Sequence, residues 1–338
     1  MPFDKIIGQE GAKKILKNSL DKGRTVNAYI FSGPDGVGKY LTAKVFAEAL
    51  NCTEKDKPCG VCISCKKIER DVHPDIKVVD GEETSVKIDQ IRELQEDMGL
   101  RPYEGHRKVY IIKNAENMTP EASNCLLKTL EEPPEYGVII LITSNYHTLL
   151  PTIISRSQVI SFYPLSQKDM ERFLSVKFKD NPDRIRFFSA FSRGSPGEAL
   201  KLAEDEEFIE LRDMCIDLLK ILTNKNNIKE VFMFADGLIL RKKRIDEILN
   251  ILVFLYRDLL LLKTYKKETI IVNADIKEKL IGYAEGLSIE SLYRILEIIK
   301  GTKESLDSNA NFNIVVEVML AKIMGVYKDE LYGSRCPL

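Results

Sequence analysis

Two sets of residues in this sequence have the types and spacing to do chemistry. The first is GPDGVGKY, Gly33 to Tyr40, which follows the apolar run AYIFS and opens a helix-forming stretch. Glycines there let backbone N–H groups close around phosphate oxygens, the positive N-terminal end of the following helix faces the same anion, and a lysine reaches the terminal phosphates. Gly33, Gly36, Gly38 and Lys39 are therefore the candidate nucleotide-binding residues of a P-loop. The motif breaks at its last position. A working P-loop ends in Lys-Ser or Lys-Thr because that hydroxyl ligates Mg²⁺, and Tyr40 cannot place a small oxygen there. Thr42 lies two residues further on, about 200° around a helix, and is no substitute. The other half of such a site is an apolar strand that ends in a metal-binding acid. Here KVYII runs instead into Lys113 and Asn114, and an ammonium at that place repels the ion it should bind. Both metal contacts are lost, and the sequence leaves open whether ATP or ADP still enters the degenerate loop.

The second set is Cys52, Cys59, Cys62 and Cys65, spaced C-x6-C-x2-C-x2-C. Four thiolates so close in sequence can enclose one tetrahedral ion, and a closed set of four leaves no position for water, so the expected metal is a structural zinc. The rival is an iron–sulfur cluster, but the bacterial run that opens C-x2-C-x2-C continues x3-C, and position 69 is Glu. His73 is an alternative fourth ligand. Of the remaining cysteines, Cys125 and Cys215 lie in apolar helical stretches and read as buried structural thiols, with Cys336 near the end of the chain. Glu131 and Glu132 are a tempting acid pair, but helix neighbours point about 100° apart, so surface charge is the expectation.

These residues need elements to position them. Short β-rich runs alternate with amphipathic helices from Ala28 to about Phe162: AYIFS, a helix near Lys39–Leu50, IKVVD at 76–80, a helix near Ile88–Leu100, KVYII at 108–112, a helix near Pro120–Glu131, GVIILIT at 137–143 and QVISFY at 158–163. This alternation predicts βαβ units and a parallel sheet covered on both faces. Strands vanish after Ser166, where Pro182, Gly194, Pro196 and Gly197 punctuate short helices, and beyond Glu207 apolar residues recur at helical spacing. The expected organisation is an α/β P-loop domain over 1–165, a small helical lid over 166–207 and an all-α domain over 208–338.

Composition narrows the function. Fifty Lys and Arg oppose 51 Asp and Glu over 338 residues, so no chain-wide basic field exists to bind nucleic acid unaided. The basic run Arg241–Arg244 reads as a solvated face. Hydrophobic residues at 44% fit a globular protein and exclude global disorder. The first residues do not read as a signal peptide, and the greasiest stretch, Ile248 to Leu262, is interrupted by Asn250, Arg257 and Asp258 and falls short of the ~20 apolar residues of a membrane helix. A cytoplasmic chain with no membrane partner is the expectation.

Several motifs carry a resemblance. NCLLKTLEEPPEYGVIILIT (Asn124 to Thr143), FDKIIGQEGAKKIL near the start and LLPTIISRS (Leu149 to Ser157) together resemble the AAA+ clamp-loader subunits of bacterial DNA polymerase III, with Ser157 where that family has Cys in its Ser-Arg-Cys region. The match is dense over roughly the first 200 residues, while the helical C-terminus agrees only in pattern. The catalytic gamma/tau members keep Lys-Ser/Thr, Asp-Glu and a sensor-2 arginine where this chain has Tyr40, Lys113-Asn114 and Gly197. These losses look like the member that does not hydrolyse ATP. The resemblance implies an AAA+ fold with a collar for oligomerisation, an inserted zinc module, and Arg156 as an arginine finger acting in trans. It also implies gamma/tau and delta subunits as partners, and the beta sliding clamp and primer-template DNA as contacts of the assembled complex. Two alternatives stay open at this point: an active gamma/tau-like ATPase, and a zinc and nucleotide-binding scaffold outside replication.

Overall fold

A computed structural model describes residues 2–80, 85–178, 181–223, 228–264, 271–308 and 310–332. The chain forms two compact units, Met1–Val176 with Ser192–Ala199, and Lys177–Phe191 with Leu200–Leu338. In the first unit β1 (Ala28–Ser32), β2 (Ile76–Val79), β3 (Lys108–Ile112), β4 (Gly137–Thr143) and β5 (Gln158–Ser161) make one parallel sheet in the order β2-β3-β4-β1-β5. The inner strands β1, β3 and β4 are buried at every position, which is why they read as unbroken apolar runs. The edge strands β2 and β5 keep exposed residues, and β5 stops at Ser161 where the sequence suggested Tyr163.

Alternate residues feed two cores. Tyr29, Phe31, Val109, Ile111, Val138 and Ile140 pack with Leu16 of α1 (Glu10–Asp21) and Phe46 of α2 (Lys39–Asn51). Ile30, Tyr110, Ile112, Ile139 and Leu141 pack on the other face with Ile91 and Leu94 of α4 (Ile88–Met98) and Leu126 of α5 (Pro120–Glu131). The α5 start is explicit in its sequence: the Thr119 side chain accepts from the Ala122 N–H, and Pro120 occupies a first-turn position that needs no donor. Two shorter helices, α3 (Ile63–Glu69) and α6 (Pro151–Ser155), carry the cysteine segment and the approach to Arg156. The helix α7 (Gln167–Lys177) follows the sheet.

The second unit is helical among its described residues: α8 (Pro182–Phe191), most of α9 (Pro196–Glu204), α10 (Glu206–Thr223), α11 (Ile228–Leu240), α12 (Ile245–Thr264), α13 (Lys277–Glu285), α14 (Ile289–Asp307) and α15 (Phe312–Tyr332). The greasy stretch from Ile248 is the buried body of α12, and no helix among the described residues is long and apolar enough to cross a membrane. Inside α12 the Asp258 carboxylate is fully buried, which pushes its pKa up, and it accepts from the Val272 N–H, the Asn273 N–H and Asn273 Nδ2. The basic run departs from the sequence expectation at Arg244, whose largely buried guanidinium pairs with Asp205, Glu207 and Glu247.

One tie in the first unit fixes the approach to β3. Asp75, only 2% exposed, accepts backbone N–H groups of Tyr103, Glu104 and Gly105 at 2.7, 2.9 and 2.7 Å, while Asn51 Oδ1 accepts those of His106 and Arg107, each at 2.8 Å. A Cβ on Gly105 would lie 2.5 Å from Asn51 Oδ1, so only glycine permits this approach. Burial works to raise the Asp75 pKa, but the three donors outweigh it and hold it below the usual carboxylate value. With the folded pKa depressed, the stabilisation is complete above the unfolded value of about 4 and is lost as pH falls through the folded one. Asp75→Asn, which turns an acceptor into a donor facing N–H groups, is expected to cost about 1–3 kcal/mol in urea unfolding at pH 7. The gap between variant and unmodified chain should narrow below about pH 4; a gap that stays constant with pH would mean the Asp75 charge is irrelevant.

Candidate functional site

The loop between β1 and α2 has the backbone a P-loop needs. Gly33, Gly36 and Gly38 have φ of 154°, 70° and 97°, and a Cβ on Gly33 would sit 2.2 Å from the Phe162 carbonyl oxygen. Lys39 begins α2 and is 5% exposed, but its ammonium is turned onto the loop itself, donating to Gly33 O, to Pro34 O at 2.9 Å and to Asp35 Oδ1 at 3.3 Å. Gly36, Gly38, Lys39, Tyr40, Lys113 and Asn114 line a cleft of about 490 Å³.

The residues that break the motif in sequence meet in space. The Lys113 ammonium lies 4.6 Å from the centre of the Tyr40 ring and 2.6 Å from Asp80 Oδ2, and Lys44 sits over the same ring at 5.8 Å. A cation over an aromatic face is stabilised by the ring quadrupole. Burial and the nearby Asp71 charge push the Tyr40 pKa up, so the ring stays neutral and polarised toward these cations. Thr42 is fully buried, donates its hydroxyl back to Gly38 O at 2.9 Å and does not line the cleft. Beyond β3, Asn114 takes a left-handed turn (φ 49°), and Glu116 accepts from the Ser144 N–H at 2.9 Å and the Ser144 hydroxyl at 2.5 Å. Burial raises the Glu116 pKa, but these donors more than offset it and keep the carboxylate ionised. The cleft is lined by two cations, Lys39 and Lys113, with the Asp35 carboxylate paired to Lys39, and Lys113 puts a positive charge where a divalent ion would have to sit.

Sequence reasoning missed Gln9 and Ser195 at this loop and read Gly197 only as the place of a lost arginine. Gln9 donates to Val37 O at 3.2 Å, the Ser195 hydroxyl to Asp35 O at 3.0 Å, and the Gly197 N–H to Gly36 O at 2.9 Å. The Gly-Gln and Gly-Ser-Pro-Gly turns were visible, but nothing local in them points at residues far along the chain.

The four cysteines converge at the junction of α2 and α3, their sulfur atoms all within 4.8 Å of one another. Cys52 ends α2 and Cys62 caps α3. Backbone N–H groups point at the sulfurs: Cys59 at Cys52, Val61 and Cys62 at Cys59, and Cys65 at Cys62, over 3.3–3.5 Å. Burial pushes the Cys52 and Cys65 thiols up, whereas at Cys62 the Cys65 N–H and neighbouring thiols prevail over burial and bring the pKa down to about 6. Such donors stabilise thiolate charge, and tetrahedral zinc–sulfur bonds of ~2.3 Å need sulfurs roughly 3.8 Å apart, so the donor set fits a four-thiolate ion with small adjustments. His73 is not in the cluster. Its ring nitrogens are engaged elsewhere, Nδ1 accepting from the Asp75 N–H at 3.2 Å and Nε2 pairing with the Ser64 hydroxyl at 2.9 Å. Cys215 is buried, Cys125 is half-buried and donates to Gln95 Oε1 at 3.1 Å, and Cys336 lies outside the described residues.

Arg156 follows α6 and does not line the cleft. Its guanidinium donates to Thr152 O at 3.3 Å and to Glu131 Oε1 at 3.0 Å, with the arginine side chain 38% exposed.

A family model described as DNA polymerase III, delta subunit matches residues 8–166, and one described as DNA polymerase III, delta subunit, C terminal matches residues 207–324. DNA polymerase III subunit delta' of Bacillus subtilis (strain 168) is 33% identical over 312 residues, covering 91% of this chain and 94% of that one. The chain belongs to the DNA polymerase III delta-prime family. Subunit tau of the same bacterium is 28% identical over 345 residues, which span 95% of this chain and 61% of tau. Among solved structures, a gamma subunit-related protein of Thermotoga maritima aligns at 19% identity and TM-score 0.39, covering 92% of this chain and 99% of that one.

In this delta-prime family chain the metal-binding set is expected to be thiolate only. With cobalt(II) as a spectroscopic probe, His73→Gln should leave the thiolate-to-metal charge-transfer intensity unchanged, while Cys59→Ser should reduce it by roughly a quarter. A loss of intensity in His73→Gln would place an imidazole among the ligands.

Proposed function

We propose that this chain is the non-hydrolysing delta-prime member of a clamp loader. In this reading it sits in a ring with gamma/tau and delta subunits that opens the beta sliding clamp and places it on primed DNA in the cytoplasm. The observation that carries the first half is the Lys113 ammonium on the Tyr40 ring. Phosphoryl transfer in P-loop enzymes depends on a divalent ion bridging the phosphates and on a residue that orients the nucleophile. With a lysine in the ion's place the chain cannot supply that chemistry, which disfavours the gamma/tau-like reading. A role in assembly is supported by the second unit, where α14 and α15 border a groove of about 910 Å³ lined by Ile298, Ile314, Val318 and Met319. Ile314 and Val318 there are 58% and 43% exposed, as suits a helical collar over 208–338 that packs against other subunits. The P-loop domain would then occupy 1–165 and the lid 166–207.

Arg156 acts on a nucleotide held by a neighbour. A guanidinium offers an always-charged planar fork to the oxygens of a phosphoryl group in transfer, and such a finger is worth ~10³–10⁵ in rate, or about 4–7 kcal/mol. The half-exposed pair with Glu131 is worth only ~0–1 kcal/mol, so it parks the side chain without holding it there. The isolated chain should turn over no ATP beyond a Lys39→Ala control, and the Arg156 variants are read in a ring reconstituted from this chain with gamma/tau and delta. Arg156→Ala should lower DNA-stimulated turnover and clamp loading at least a hundredfold, Arg156→Lys should rescue poorly, and Glu131→Gln should change little. Unmodified loading by the Arg156→Ala ring would remove the trans-acting role.

Cys52, Cys59, Cys62 and Cys65 hold a structural zinc in this reading, since a closed four-thiolate set has no open position for catalysis. The segment is also fastened without the ion: Lys67 reaches Glu104 at 2.6 Å, and Lys44 reaches Asp71 at 2.7 Å. Metal analysis should find one zinc per chain, and a strong chelator should loosen residues 52–72 while leaving the sheet's unfolding transition intact. Iron with sulfide, or no metal in protein prepared without chelator, would contradict this.

A further inference from the structure

Each carbonyl oxygen of the P-loop from Gly33 to Gly38 is already taken by a donor of the protein. Lys39 serves Gly33 and Pro34, the Ser195 hydroxyl serves Asp35, the Gly197 N–H serves Gly36, Gln9 serves Val37, and the Thr42 N–H and hydroxyl serve Gly38. Three of these donors come from outside the loop and its helix. Gln9 is itself fixed, since its amide also bonds Tyr163 in both directions, donating to Tyr163 O at 2.6 Å and accepting from Tyr163 N at 3.2 Å.

The fit between the loop and the turn 194–197 is close enough to dictate residue type on both sides. A Cβ on Gly36 would stand 2.2 Å from Ser195 Oγ, and one on Gly197 would stand 3.0 Å from Gly36 Cα and 3.2 Å from Gly36 O. From behind, the turn is held against Leu165: Gly194 O accepts from the Leu165 N–H at 2.8 Å, and a Cβ on Gly194 would meet Leu165 O at 2.6 Å. Any side chain at 197, an arginine included, would press on Gly36 and shift it by a few tenths of an ångström. The glycine there thus favours the contact as well as removing a phosphate ligand.

We infer that the P-loop of this chain is latched by Gln9, Ser195 and Gly197 in one conformation that does not depend on nucleotide. A ligand shifts an equilibrium only by its differential affinity for the two states. Here a nucleotide would have to draw Lys39 off two carbonyls in a cleft where the Lys113 ammonium repels a divalent ion. The latch keeps the loop ordered where an active P-loop relies on its ligand.

Hydrogen exchange with single-residue readout on the full chain tests this, using the Gly197 amide as reporter and millimolar ADP as probe. The latch requires that the Gly197 amide exchange at least a hundredfold slower than in an unstructured peptide, and that ADP leave residues 33–39 and 194–197 unchanged. Ser195→Ala should speed Gly197 exchange roughly tenfold, the loss of one hydrogen bond. The Ser195 oxygen also accepts from the Glu198 N–H at 3.2 Å at the start of α9. Ser195→Asp keeps that acceptor but has no hydrogen to give Asp35 O, so it should fail to restore protection. Unprotected Gly197 in the unmodified chain, slowing of residues 33–39 by ADP, or full restoration by Ser195→Asp would each overturn the latch. None of these outcomes bears on whether the ring loads clamps, so the latch and the proposed function fail separately.

Discussion

A divalent ion cannot share the end of β3 with the Lys113 ammonium. That constraint organises the region around it: Tyr40 occupies the position of a metal-binding hydroxyl and supplies a neutral face for the cation, while Asp80 supplies the countercharge at 2.6 Å. The arrangement is more than the sum of two missing ligands. A lost hydroxyl alone would leave a weakened metal site, whereas a lysine held in place by an aromatic ring and a carboxylate replaces the ion with a fixed charge that the fold keeps at all times. What remains of the P-loop is its geometry, with glycine backbones, an entering helix and a buried lysine, turned inward on the protein's own carbonyls.

The cysteine segment obeys a different logic. It is inserted between α2 and β2, and the residues bounding it, Asn51 and Asp75, are the two that collect the backbone N–H groups of the 103–107 loop. The insertion is therefore seated on the sheet through main-chain hydrogen bonds to side-chain oxygens, independent of the sulfur cluster. A parallel sheet buried on both faces gives the first unit a core of its own, in contrast to small domains that fold only around a metal.

How much of this could be read from the residues varied with the range of the interaction. Strands β1, β3 and β4 were legible to the residue because strands buried on both faces must be apolar throughout, and the helices beside them showed their apolar stripes. The edge strand β5 was overestimated because Phe162 is buried and apolar without continuing the strand. The cysteine spacing announced its cluster, yet the exclusion of His73 needed Ser64 and the Asp75 amide to be seen. Arg244 looked like surface charge because its partners Asp205 and Glu207 lie 39 and 37 residues away. For Arg156 the sequence supplied a register but not Glu131, and for the P-loop it supplied the glycines but not what touches them. Glycines at 36 and 197 each have a local explanation as turn residues; only contact shows that each leaves room for the other.

The pairing of Asp35 with Ser195 spans 160 residues. A chain leaves the ribosome N-terminus first at about 5–20 residues per second, so the P-loop emerges roughly 8–32 seconds before the turn that completes it. The first unit is complete only with Ser192–Ala199, which follows Lys177–Phe191 of the other unit along the chain. Three crossings of the chain between the units follow, at 176–177, 191–192 and 199–200. No single cut can yield two intact halves, and on a nascent chain one of the first loops made is among the last parts of its unit to be finished.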